Sequence, residues 1–300
     1  MAIKINWSDI SKRMINGREV SKVMMNGVQI RGTPWPTPPS VDAWIYWNQT
    51  LWLISFSMDG TNWTTISDKN LWASVVYETG DTLSESNCWY FYQRWNNYGF
   101  PWDDVPITTS TTTVYSIEWY WPWNYYNDGT FILRNDRIIY NSPWYDTVTP
   151  NPNNGSNLWW WVTNTNASKQ WPCPSWFHIP SLPEITTWYT ILNYIENQYI
   201  LNYEQACDLF KMPATWTRYE DDGLLYRDPT WPMIFFRCAT INSNLYTASY
   251  LRCRKSIGWF IECRIINLGM MCDGYPIRPF KNDPVVPSGT WWTALYLISN

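Results

Sequence analysis

The chain has 300 residues, enough to bury one substantial core or two small ones, and a mildly acidic net charge of −4. That balance excludes an overall nucleic-acid footprint, and the absence of any apolar run near about 18 residues excludes membrane insertion by a helix. Seven cysteines without a C-x-x-C pair speak against a zinc ribbon or a thioredoxin-type site, so neither metal nor cofactor is expected.

The N-terminal stretch MAIKINWSDISKRMINGREV holds no apolar block of roughly 7–15 residues, so no standard signal peptide is expected. Within it begins a short repeat: SKRMINGREV (Ser11 to Val20) is followed at once by SKVMMNGVQI (Ser21 to Ile30). Each copy sets Asn-Gly between apolar flanks, the strongest two-residue hairpin signal, with turns at Asn16-Gly17 and Asn26-Gly27. Residues 1–32 therefore read as a β-hairpin module, too small to be stable unless it packs on something, such as a partner chain. The proline-rich RGTPWPTPPS that follows marks residues 33–42 as a semi-rigid linker.

From Val41 onward aromatic and β-branched runs predict strands at DAWIYWN, LWLISFS and NLWASVVYE (Asn70 to Glu78). Residues 101–157 read as a long polar loop. Ser181 and Glu184 form a capping box ahead of Ile185, Trp188, Tyr189, Leu192 and Ile195 at helical spacing, which predicts a helix to about Asn197. A second helix is predicted from Asn202 to the stop at Pro213, burying Tyr203, Ala206, Leu209 and Phe210. The chain then returns to strands at GLLYRD, MIFFRCAT, NLYTASYLRCR, IGWFIECRII and YPIRPF. Helices flanked by short strands make residues 43–281 an α+β domain, with 282–300 left as a C-terminal tail.

Tryptophan usage is anomalous. The chain has 25 Trp against 13 Gly, where ordinary composition puts glycine near about 7 %. Trp171 and Trp176 flank a Pro-Cys-Pro-Ser turn, Trp121 and Trp123 bracket a proline and Trp231 precedes one, in turn-like segments where glycine serves by reaching positive φ. Two readings stand: a tryptophan-rich, sugar-stacking surface, or UGA codons read here as tryptophan that specify glycine in the source organism. On the second reading SNLWWWVTNT (Ser156 to Thr165) is a glycine-containing loop and not a platform of indoles.

The stretch CPSWFHIPSLPEITTWYTIL (Cys173 to Leu192) resembles the FISUMP, or major paralogous domain, family, which shows a Cys-Pro-x-Gly-aromatic-His-hydrophobic-Pro segment opening a helix. ATWTRYEDDGLLYRDPTWPMIFFRCAT, DGYPIRPFK, TISDKNLWAS and YFYQRWNNYGFP are similar to that family's other strands, so the resemblance spans about residues 60–281. It implies a C-type-lectin-like fold, two helices packed on small antiparallel sheets, with a ligand face built from C-terminal strands. Trp176 stands where the family has glycine and Trp72 looks equally misplaced, which favours the glycine reading. Arg278-Pro279 replaces the family's usual Arg-Cys; Cys173 then lacks its expected partner, and Cys88 or Cys272 is the candidate substitute. Similar folds serve as variable proteins of diversity-generating retroelements. Residues 235–272, mixing Arg, Cys, Ile and Asn without clear alternation, fit that picture.

No catalytic constellation is recognisable, and His178, the sole histidine, is expected to make structural hydrogen bonds at the helix entry. Glu220-Asp221-Asp222 before Gly223 reads as a solvated turn in preference to a calcium loop, for want of alternating ligand spacing. Arg237, Arg252, Arg254, Lys255 and Arg264 concentrate positive charge in the proposed face; they suit acidic glycans or carboxylate-rich partners, or are ordinary solvated charge. The whole reads as a non-enzymatic, adhesin-like protein displayed outside the cell, recognising a glycan or protein. Its expected ligand set is Arg237, Cys238, Asn242, Asn244, Arg252, Arg254, Trp259, Phe260, Arg264 and Asn267. The alternatives are a subunit of a fibre or surface layer assembled through residues 1–32, and a relative of the formylglycine-generating enzymes, whose paired-cysteine copper site is not located here.

Overall fold

The computed structural model describes residues 24–25, 28–29, 43–93, 96–103, 105–111, 129–133, 172–198, 201–219, 221–227, 230–241, 247–256, 259–270 and 273–298. The fold is mixed α+β, with few helices and mostly small antiparallel sheets. Strands β1 (Met24–Met25) and β2 (Val28–Gln29) pair with Met25 opposite Val28, the register an Asn-Gly hairpin demands. The hairpin expected at Asn16-Gly17 lies outside the described residues.

The largest sheet has six antiparallel strands. In spatial order they are β15 (Thr293–Ile298), β3 (Ala43–Asn48), β4 (Leu53–Ser57), β5 (Thr64–Ser67), β14 (Phe280–Lys281) and β8 (Phe177–His178). The segment set apart from sequence as a C-terminal tail thus supplies an edge strand, Leu297 lying opposite Trp44. Strand β4 is buried along its whole length, and Ser55 and Thr65 satisfy each other across β4 and β5 at 2.7 Å.

The strand expected over Asn70–Glu78 does not form. Trp72 has φ 67°, which no strand can contain, and the segment is a series of turns, Leu71 N–H donating to Ile277 O at 2.9 Å. A four-residue helix, α1 (Glu85–Cys88), follows. Inside the expected long loop, β6 (Thr108–Ser110) and β7 (Thr130–Ile132) form a small parallel pair.

Helix α2 (Leu182–Gln198) begins where the capping box places it. Glu184 reaches back to accept from the Ser181 backbone N–H at 2.7 Å, and the Leu182 N–H donates to Thr240 Oγ1 at 2.8 Å. Helix α3 (Tyr203–Phe210) has a reciprocal capping box between Asn202 and Gln205, and ends on Lys211 in the left-handed region before Pro213. The predicted buried face of Tyr203, Ala206, Leu209 and Phe210 is buried as expected, with Cys207 added to it.

After α3 come β9 (Thr217–Arg218) and β10 (Leu225–Tyr226), then a three-stranded antiparallel sheet of β11 (Met233–Ile241), β12 (Thr247–Lys255) and β13 (Ile261–Met270). One core joins Ile54, Phe56 and Ile66 of the large sheet, Ile185, Trp188 and Leu192 of α2, and Ile234, Phe236, Leu251 and Ile261 of the small sheet. The helices are thereby fixed against the three-stranded sheet, and its opposite face is left to do something else. A second, smaller cluster gathers Cys88, Phe91, Phe100, Trp102 and Phe131.

Candidate ligand-binding face

Register decides which residues of the small sheet share a side. Leu251, Cys253, Ile261 and Cys263 turn into the core, whereas Arg252, Arg254, Glu262 and Arg264 lie on the other side. The alternation expected to be missing over residues 235–272 is therefore present in β12 and β13 once cysteine is counted as a small apolar residue. Cys253 and Cys263 stand directly opposite each other, Cα atoms 4.2 Å apart, and form a disulfide on the core side. Cys88, Cys173 and Cys207 are buried free thiols, so Cys88 does not complete a bridge to Cys173; Cys272 lies outside the described residues. Burial pushes the Cys88 thiol up to about 12, the mark of an inert structural cysteine.

One end of the outer face is roofed. Tyr275 stacks on Tyr250 with ring centroids 4.7 Å apart and lies 5.4 Å from Phe235. The Arg237 guanidinium sits 4.5 Å from the Tyr275 ring and donates to the Asp273 carbonyl. Arg237 is fully buried, as is Cys238 on the core side. Neither is presented to a ligand from solvent. Arg237 is covered because the segment around Tyr275 returns over the sheet, and Cys238 because its side chain turns into the core.

The other end is open. Arg252 and Arg264 are cross-strand partners, and like charges placed opposite each other repel. Glu262 moderates the repulsion by accepting from Arg254 Nε at 3.0 Å and Arg264 Nε at 2.7 Å. Burial works to raise the Glu262 carboxyl, but the two arginine hydrogen bonds outweigh it and hold it below the ordinary value. Arg254 and Arg264 thus share the Glu262 carboxylate, Arg252 lies opposite Arg264, and Glu196, which accepts from the Cys263 N–H at 2.9 Å, brings a second carboxylate near Arg264. Asn267, exposed beyond it, accepts from Ser249 Oγ at 3.0 Å.

The β12–β13 connection carries Trp259, 65 % exposed, and Phe260, half-buried. The Trp259 carbonyl accepts from the Tyr203 N–H at 2.8 Å, and Lys255 pairs with Glu204 at 2.6 Å, so this tip is tied to the start of α3. Asn242 and Asn244 lie outside the described residues, as does Glu220. Asp222 accepts from the Leu224 N–H at 2.9 Å, closing a turn around Gly223. Among the described residues, no group of three or more metal-ligating side chains is close enough to hold an ion. Nor is any described helix long and apolar enough to cross a membrane.

His178 is fully buried and makes two contacts, Nε2 to Glu184 Oε1 at 2.7 Å and Nδ1 to the Asn282 amide at 2.8 Å. It pins β8 to the first turn of α2 and to the chain after β14. Replacing His178 by Ala leaves Glu184 without that partner and opens a void. The expected loss is about 2–3 kcal/mol in urea unfolding; a loss no larger than that of an exposed substitution excludes the joint.

Sequence reasoning missed the roof over Arg237 because that contact joins positions far apart in the chain. No known protein family, curated protein or solved structure matches this chain.

Proposed function

We propose that the chain is a non-enzymatic binding protein, displayed at a cell surface, that recognises an acidic glycan or protein through the open end of the β11–β12–β13 face. The single observation that carries this reading is the placement of Arg252 directly across from Arg264, with Arg254 and Arg264 sharing Glu262, in a protein of net charge −4. A patch assembled only for stability gains little from opposed arginines. Planar guanidinium groups at strand spacing suit the two oxygens of a carboxylate or sulfate. Phe260 beside the patch adds apolar area, and Asn267 adaptable hydrogen bonding. Two helices packed on small antiparallel sheets, with C-terminal strands leading to the open face, support a C-type-lectin-like arrangement and with it the resemblance to the FISUMP family.

The test is an array bearing carboxylated and sulfated glycans, acidic peptides and their neutral counterparts, read at low and physiological salt. Acidic members are expected to bind and to weaken as salt rises. Arg252→Ala and Arg264→Ala are each expected to weaken binding about tenfold, as the loss of one charge-assisted contact implies. Equal binding of neutral and acidic members, or binding unmoved by both substitutions, overturns the proposal.

A further inference from the structure

Seven described non-glycine residues have positive φ: Trp52, Trp72, Trp89, Trp176, Lys211, Trp216 and Trp259. For bulky residues such a conformation is a genuine outlier, and the residues that tolerate it best are asparagine, aspartate and histidine. Asparagine is plentiful in this chain, yet no described asparagine has positive φ. Lys211 has an ordinary explanation, since it is the left-handed cap of α3 with φ 53° and ψ 48°. The other six are all tryptophan. Trp89 is the sharpest case: φ 59° with ψ −135° belongs to a region that is essentially glycine's alone.

Three other described tryptophans behave differently. Trp47, Trp63 and Trp188 have ordinary backbone conformations and use their side chains. Trp47 Nε1 donates to Asp68 at 2.9 Å and Trp63 Nε1 to the Gly60 carbonyl at 3.2 Å, while Trp188 is fully buried against Phe236. By contrast Trp52, Trp72, Trp176 and Trp259 are each more than half exposed. Lysine ammonium groups lie over the Trp52 and Trp259 rings, contacts that any exposed ring offers and that need no positive φ. Among the described tryptophans, Trp47, Trp63 and Trp188 use the indole, whereas Trp52, Trp72, Trp176 and Trp259 carry exposed rings on a positive-φ backbone; Trp89, edge-on to Tyr90, and Trp216, packed beside the smaller cluster, are set apart by backbone conformation alone.

We propose that positions 52, 72, 89, 176, 216 and 259 are glycine in the protein as its own cells make it, encoded by UGA. That codon is one base from the tryptophan codon UGG and one base from the glycine codon GGA. Six more glycines bring the present 13 close to ordinary usage for this length. The substitution changes the surface. A cleft of about 350 Å³ is walled by Trp72 and Trp89 with Tyr90, Tyr92, Asn97 and Gly99, and glycine at the first two positions opens it. Trp259 leaves the β12–β13 tip, where the Lys255 ammonium now lies over its ring, and Phe260 remains there as the aromatic side chain. Trp231, suspected from its proline neighbour, does not have positive φ and is not included; Trp121, Trp123, Trp159, Trp160, Trp161 and Trp171 lie outside the described residues.

The experiment has two readouts. The gene is sequenced at these six codons and at those for Trp47, Trp63 and Trp188, and the tryptic peptides of the protein purified from its own cells are weighed. UGA at the six with UGG at the three, and peptides lighter by the difference between tryptophan and glycine, is the expected result. UGG at the six, or peptides carrying tryptophan there, overturns the proposal and makes the strained indoles candidates for ligand stacking. Independently, in recombinant protein, Trp52→Gly, Trp72→Gly, Trp176→Gly and Trp259→Gly are each expected to raise the melting temperature by about 2–4 °C. Trp188→Gly is the control and should lower it sharply; a fall at the four exposed sites as well overturns the proposal.

Discussion

Trp188→Ala is expected to remove about 3–5 kcal/mol of folding stability, the cost of emptying a large aromatic site that neighbours can only partly fill. Trp188 is fully buried where three packing partners converge: Phe236 of β11 stacked at 4.9 Å, Phe210 of α3 at 5.8 Å and Phe280 of β14 edge-on at 6.0 Å. It is therefore the side chain through which α2 holds the two sheets in one core. A domain with roughly 5–15 kcal/mol in hand loses a large fraction of that from one substitution. Urea unfolding of the variant should show a lowered midpoint with the slope retained, because the surface exposed on unfolding barely changes. Trp188→Phe separates volume from polarity. The Trp188 Nε1 has no hydrogen-bond partner, so phenylalanine removes a buried, unsatisfied donor along with some volume. It is expected to cost well under half as much as alanine. Equal losses for both variants would mean that the nitrogen is satisfied and that the site is polar, not a packing joint.

What was legible in the sequence was whatever short-range chemistry specifies. Ser181 and Glu184 announced α2, because a capping box is written within four residues and Ile185, Trp188, Leu192 and Ile195 then keep helical phase. Asn26-Gly27 announced the β1–β2 pairing for the same reason. Residues that act across the chain stayed hidden. Thr293–Ile298 looks like a tail until β3 is seen to lack a neighbour on that edge. Arg237 looks like a ligand residue until Tyr275, far along the chain, covers it. The face of β12 and β13 was misread because Cys253 and Cys263 were not weighed as apolar; their disulfide sits on the core side while Arg252 and Arg264 alternate to the other. The strand predicted at Asn70–Glu78 failed at one residue, Trp72, whose letter favours a strand and whose backbone forbids one. That failure and the tryptophan surplus have a common cause if position 72 is glycine in the native chain.

The second large effect concerns Arg278, the residue that closes the core beneath β5. Its guanidinium is fully buried, donates to the Ser67 carbonyl at 3.1 Å and the Lys211 carbonyl at 2.7 Å, and lies within the field of the buried Asp68. Burial pulls its pKa down to about 9, a shift that the Asp68 charge opposes, so the group is still charged at neutral pH. Asp68 feels the converse: burial raises its carboxyl, against the Trp47 hydrogen bond and the Arg278 charge. Two ions taken out of water together cost a good deal to bury, and removing one partner costs more than removing both. Arg278→Met should therefore destabilise by about 3–5 kcal/mol, because it strands Asp68 and leaves two carbonyls unpaired. The double variant Arg278→Met with Asp68→Asn should recover part of that loss. The sign of the pH dependence follows from Asp68. A carboxyl whose folded pKa lies above its unfolded value favours the folded state increasingly as pH falls through the folded pKa toward the unfolded one. Without the Arg278 charge the Asp68 pKa rises further, so the single variant should regain stability relative to the parent on mild acidification, read as converging urea midpoints. A deficit that stays constant with pH would show that the carbonyl contacts, and not the Asp68 charge, are what Arg278 is buried to satisfy.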